Sequence, residues 1–329
     1  MGSDRARVVA SMFAAALLLS LAACAVRPGT AAPRTGDEIV IAGQFFHTGA
    51  PVVLWMDVGG YDAYRVERRF VPREAMDWEA AKGKIATPQR YGIRAAGLSE
   101  DEFERVRGGG WSLAALRERV DQLVLHYDVC GTSRECFRVL HDARGLSVHF
   151  MLDIDGTIYQ TMDVKERAWH ATIANDRSVG IEIANIGAYP DVAGSPLEKW
   201  YGEDESGRVR LTLPEIRGDG GVRTEGFVGY PERFVKGEIG GRELVMYDFT
   251  PEQYSSLQRL TDALCTVLPK IRRDCPRDES GLILTRTLTT EEFASFTGVL
   301  GHYHIQENKL DPGPAMQWDR VVGAKHRRK

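Results

Sequence analysis

The sequence predicts an α/β fold: a central mixed β-sheet flanked by helices, with an N-terminal extension and a long insertion. Three observations carry this expectation. Apolar runs of strand length, such as 122–127, 179–184 and 297–300, are separated by helical stretches, the order of a sheet with helices on its faces. Asp155-Gly156 between the apolar runs Val148–Ile154 and Thr157–Gln160 marks a tight hairpin. Thr250-Pro251-Glu252-Gln253 combines a cap, an N1 proline and an N3 glutamine before apolar residues at helical spacing, Tyr254, Leu257, Leu264 and Val267.

Taken from the start, Arg5 and Arg7 precede an apolar run from Val8 to Ala23, broken only by Ser11 and Ser20. That is the pattern of a secretory signal, 1–23, rather than a membrane anchor. It ends in Leu21-Ala22-Ala23-Cys24, which looks like a bacterial lipobox and implies cleavage before Cys24 and a lipid on its thiol. Residues 24–36 then form a Pro-, Gly- and Thr-rich tether with a reach of roughly 20 Å. An exported lipoprotein held at a membrane is expected. By analogy with Gram-negative lipoproteins, Ala25 and Val26 after the cysteine favour the outer membrane, facing the periplasm, if the source is Gram-negative.

Residues 37–110 read as an elaboration on the main domain, with short strands at Ile39–Ile41 and Val52–Trp55 and a capping box at Ser99–Glu102 opening a helix. The main domain spans 111–329. Ser112 caps a helix, 122–127 is a strand ending in His126 and Tyr127, and 187–249 is Gly-rich, charged and weakly patterned, the insertion. Export makes Cys130, Cys136, Cys265 and Cys275 disulfide candidates, with local pairs Cys130–Cys136 and Cys265–Cys275 the simplest of three connectivities. Their spacing does not suit a four-cysteine zinc site. A formal net charge of −4 argues against nucleic acid as a partner. Nothing in the sequence sets an oligomeric state.

Chemistry concentrates at strand ends. His126 and His302 each close an apolar strand, where sites in α/β folds form. After His302 come Tyr303-His304-Ile305 and Lys309-Leu310-Asp311-Pro312-Gly313. If the strand continued through His304, that imidazole would share a face with His302 and could be a ligand or a group that supports one.

Five segments in this order resemble the type-2 N-acetylmuramoyl-L-alanine amidases, the superfamily of peptidoglycan recognition proteins and phage lysozyme-type amidases. They are Val124–Tyr127, Val148–Phe150 with Asp155–Ile158, Ala168–Ala171, Ser178–Glu182, and Gly301–Gly313. The resemblance implies zinc held by His126, His302 and Asp311, leaving a fourth position for water. It implies Glu182 as proton carrier, Lys309 as the cation facing developing negative charge, and Trp169, His170 and His149 toward the substrate. Six residues separate His302 from Lys309, one fewer than in recycling-type relatives and one more than in the phage type. The activity implied is hydrolysis of the amide between N-acetylmuramic acid and L-alanine in peptidoglycan or muropeptides. Two other readings stay open: a lipoprotein that binds peptidoglycan without cutting it, and a metal-dependent hydrolase of another amide.

Overall fold

Alternating side chains build the centre of the molecule. In a strand, successive residues face opposite sides, so Leu123, Leu125, Val179, Ile181 and Ile183 enter one apolar layer while Val124 and Leu300 enter another. The computed structural model describes residues 28–77, 79 and 90–323. The expected signal segment and Cys24 lie outside them. Residues 36 onward form one compact unit, and the elements below belong to it.

In chain order the strands are β1 (Glu38–Ile41), β2 (Gln44–His47), β3 (Val52–Leu54), β4 (Tyr91–Gly92), β5 (Gln122–Tyr127), β6 (Phe150–Leu152), β7 (Ile158–Gln160), β8 (Arg167–Ala168), β9 (Ser178–Ile183), β10 (Tyr201–Glu203), β11 (Val209–Leu211), β12 (Phe234–Ile239), β13 (Arg242–Tyr247) and β14 (Gly298–Gly301). The helices are α1 (Glu100–Gly109), α2 (Leu113–Arg119), α3 (Ser133–Phe137, continuing as a π-helix to Arg144), α4 (Leu197–Trp200), α5 (Pro251–Val267), α6 (Thr290–Ser295) and α7 (Trp318–Val322). Six strands form the central sheet in the order β14-β5-β9-β6-β7-β3. β14, β5, β9 and β6 run parallel, and β7 returns antiparallel to β6 through the Asp155-Gly156 turn. β3 closes the edge parallel to β7, so the N-terminal elaboration contributes a strand to the main sheet.

Helix α5 covers one face with Tyr254, Leu257, Leu260 and Leu264, all buried. Its Thr250 side chain accepts from the Gln253 amide while Gln253 reaches back to the Thr250 amide, the capping box visible in the sequence. The other face carries α3, whose Cys136 and Phe137 pack with Val53, Met151 and Tyr159. Among the described residues no helix is long and apolar enough to cross a membrane.

The insertion consists of α4, the ribbon β10–β11 and the hairpin β12–β13. That hairpin packs beneath the closing loop of the chain. A Cβ at Gly313 would come within 2.5 Å of Met246 Sδ, and one at Gly237 within 2.7 Å of Pro314. Arg233 also donates to the Ala315 carbonyl at 2.9 Å. The two local disulfides expected from the cysteine count are not formed: no S–S bond joins Cys130 to Cys136 or Cys265 to Cys275. Cys136 and Cys275 are buried, and Cys265 packs against the main core, so the sulfurs serve as small apolar groups. The Cys130 and Cys136 side chains touch through a hydrogen bond.

Candidate metal centre

Parallel pairing of β5 with β9 sets His126 directly beside Glu182, and pairing with β14 brings the strand before His302 to the other side of β5. The chain then turns through one 3-10 turn, His302–His304, and loops back so that Asp311 returns to the strand ends. His126 Nδ1 lies 3.0 Å from His302 Nδ1 and 2.8 Å from Asp311 Oδ2, and His302 Nδ1 lies 3.0 Å from the same oxygen. All three residues are buried.

Three such donors converging without a cation would be an odd economy. Burial, then the neighbouring His302, pulls His126 down to about 4, so it is neutral at physiological pH. Burial alone would raise Asp311, yet its close contacts with the His126 and His302 rings, 2.8 and 3.0 Å away, hold it well below the usual carboxylate range. Two imidazole nitrogens and an anionic oxygen therefore face one point. A tetrahedral zinc ion with bonds of about 2.0–2.2 Å spaces its donors about 3.3 Å apart, close to this triangle. The residues fit the metal.

The outer nitrogens complete the fit. His302 Nε2–H donates to Gln306 Oε1 at 2.7 Å. His126 Nε2–H donates to His170 Nδ1 at 3.0 Å, and His170 Nε2–H donates in turn to Ser178 Oγ at 3.2 Å. Each partner fixes the tautomer that leaves Nδ1 free for a metal. Gly180 permits this, because a Cβ there would stand 2.5 Å from the His170 ring. His170 thus lines the pocket and also orients His126.

The pocket, about 150 Å³, is lined by the three donors together with Glu182, Lys309, Trp169, His170, Asp128 and Arg144, among others. Desolvation, then the carboxylates of Asp311 and Asp128, push Glu182 well above its ordinary range, while Lys309 and Arg144 oppose the shift. Lys309 is half-buried at the rim. Trp169 is half-buried beneath the Arg167 guanidinium, 4.6 Å from its ring centre.

One expectation and one rival reading fall here. His149 does not face the substrate: it is fully buried, its Nδ1 accepts from the Gly180 amide and its Nε2–H donates to the Glu166 carbonyl. His304 does not rival His302 as a ligand. The 3-10 turn rotates it away, so that Nδ1 accepts from the Gly301 amide and Nε2–H donates to the Leu284 carbonyl. Sequence reasoning missed Gln306, whose only signal is its place four residues after His302. It also missed Asp128, which directly follows His126-Tyr127. Asp128 Oδ1 accepts from the amides of Cys130, Gly131 and Asn185 and shapes the loop after β5. Burial raises this carboxyl to about 7.

No curated protein matches the chain in sequence. Among solved structures it is similar to a selenomethionine derivative of AmpD (20% identity, covering 73% of this chain and 93% of that one, TM-score 0.32). It is also similar to the N-acetylmuramyl-L-alanine amidase AmiD from E. coli, in complex with anhydro-N-acetylmuramic acid-L-Ala-D-gamma-Glu-L-Lys (18% identity, 62% and 56% coverage, TM-score 0.36). A third is the endolysin amidase LysCS from Clostridium intestinale URNW (13% identity, 63% and 83% coverage, TM-score 0.31). The family model described as N-acetylmuramoyl-L-alanine amidase matches residues 116–314, a span that holds His126, Glu182, His302, Lys309 and Asp311, and the chain belongs to that family.

Proposed function

We propose that this amidase uses zinc to hydrolyse the amide between N-acetylmuramic acid and L-alanine in peptidoglycan or its fragments. The observation that carries the reading is the convergence of His126, His302 and Asp311 on one point, in a pocket that also holds Glu182 and Lys309. A zinc ion held by those three side chains would supply Lewis acidity toward both the amide carbonyl and a water molecule.

The chain's own residues account for the rest. Glu182, made a better base by its raised affinity for protons, takes a proton from the attacking water and delivers it to the departing amine nitrogen. The C–N bond breaks, the water oxygen joins the acyl carbon, and the amine leaves neutral. Lys309 brings positive charge to the rim of the pocket where the carbonyl oxygen gains negative charge. Gln306 and His170 hold the ligand rings, so little reorganisation is needed as charge moves.

The lipobox-like Leu21–Cys24 supports a second part of the proposal: the enzyme acts outside the cytoplasm, tethered to a membrane by a lipid on Cys24. The test of the main reading is metal analysis alongside stem-peptide release from purified peptidoglycan. The wild type should carry about one zinc per chain and release peptide. Asp311→Ala should lose the metal and the activity together. Glu182→Gln should keep the metal and lose about 10²–10⁴-fold in kcat. A wild type without metal, or an active Asp311→Ala, would sink the proposal.

A further inference from the structure

Trp169 is a wall of two spaces. One side is the metal pocket; the other is an open groove of about 560 Å³, lined by Tyr91, Gly92, Ile93, Arg167, Trp169 and Asp176, among others. That volume falls within the roughly 300–1,000 Å³ range of small-molecule sites. Most of the groove's lining residues come from the N-terminal elaboration, which the proposed chemistry has not used.

The groove is built rigidly. β4 pairs antiparallel with β8, matching Tyr91 to Ala168 and Gly92 to Arg167. Two residues on, Arg94 is fully buried and donates to the carbonyls of Val164, Asn175 and Asp176. These bonds lock the 90–96 segment to the loop that carries Trp169 and His170.

Its surface chemistry is aromatic and locally neutralised. The Tyr91 ring is 40% exposed and braced edge-on by Tyr64. Arg167 is spent on Asp176 at 2.8 Å and on the face of Trp169, and Arg119 approaches the same carboxylate at 3.9 Å. The exposed Tyr91 ring beside paired hydrogen-bonding groups suits the apolar face and hydroxyls of a neutral sugar. A peptide arm bearing carboxylates would find no unspent arginine among these lining residues.

We propose that this groove is a saccharide subsite, which binds the sugar residues adjoining the N-acetylmuramoyl unit while the amide lies in the metal pocket. The assignment rests on the amidase reading, because the bond that reading selects has a sugar on one side and a peptide on the other. Trp169 lines both spaces, and with Arg167 already paired to Asp176 the Tyr91 side suits the sugar arm better than a peptide bearing carboxylates.

The test uses the full chain and a neutral glycan, an oligomer of N-acetylglucosamine, titrated calorimetrically. Gly92→Leu blocks the groove with little strain, since a Cβ at Gly92 meets nothing within 4 Å. Tyr91→Ala removes the exposed ring. Both variants should weaken glycan binding about tenfold or more. They should raise KM for a glycan-linked peptide by a similar factor, while kcat for a single muramoyl-peptide stays within about twofold. Unchanged glycan affinity in Gly92→Leu, or no glycan binding by the wild type, would overturn the subsite. A wild type that binds glycan through this groove yet hydrolyses no amide would remove the amidase reading and leave the subsite standing.

Discussion

Each imidazole at the candidate metal centre has two nitrogens with opposite duties, and the hydrogen-bond partners decide which does what. His126 and His302 turn Nδ1 inward because Nε2 is committed to His170 and Gln306. His149 and His304 look equally suited on paper, yet both of their nitrogens are used by backbone groups. A sequence shows that a histidine is present; it does not show where its second nitrogen goes. That is why the converging His126, His302 and Asp311 are legible from strand ends and the resemblance, while the buried place of His149 and the contact from Gln306 are not. Lys309 is a useful probe at this scale. Its charge favours the ionised form of Glu182, so Lys309→Met should raise the Glu182 pKa further. The acidic limb of the kcat/KM profile should then move to higher pH, with a lower plateau. A limb that stays put, measured over about pH 5–9, would count against the contact.

At the level of elements, the capping boxes and apolar periods were legible because they are local. The Ser99, Ser112 and Thr250 caps all form, each side chain accepting a hydrogen bond at its helix N-terminus. What was not legible is how distant segments join. Val52–Leu54 reads as any short strand, and only tertiary pairing makes it the edge of the central sheet. Arg94 is a sharper case, since a lone arginine in a weakly patterned segment reads as a surface residue. Instead it is buried and ties β4 to three loop carbonyls. Arg94→Met should leave those acceptors without partners and cost on the order of 3 kcal/mol, read from urea unfolding. Arg94→Lys should recover only part, because one ammonium cannot match the spread of the guanidinium.

Across the whole molecule, buried carboxyls give stability a pH signature, and Asp153 is one that a single substitution isolates. Burial, reinforced by Asp155 and opposed by backbone amides, raises this carboxyl from 3.8 to about 8. Between those values the folded chain keeps a proton that the unfolded chain has released, so this contribution to stability falls as pH rises through the window. It is fully present below about pH 4 and lost by about pH 8. Asp153→Asn keeps the acceptor that meets the amides of Ser133 and Ile154 and removes the titration. The variant should therefore gain on the wild type as pH rises, by up to about 1.4 kcal/mol per unit. Parallel unfolding curves at about pH 4 and about pH 9 check this, and a constant gap would refute it.

The hairpin β12–β13 lies against Gly313 and Pro314, next to Asp311. Anything that steadies the hairpin steadies the ligand loop, and by reciprocity an ion at Asp311 tightens the hairpin by the same factor. Metal occupancy and resistance of the insertion to local opening thus become one quantity seen from two ends. If zinc sits there as proposed, chelation should expose the β12–β13 hairpin to protease cleavage and added zinc should restore its protection; a cleavage rate indifferent to zinc would break the link.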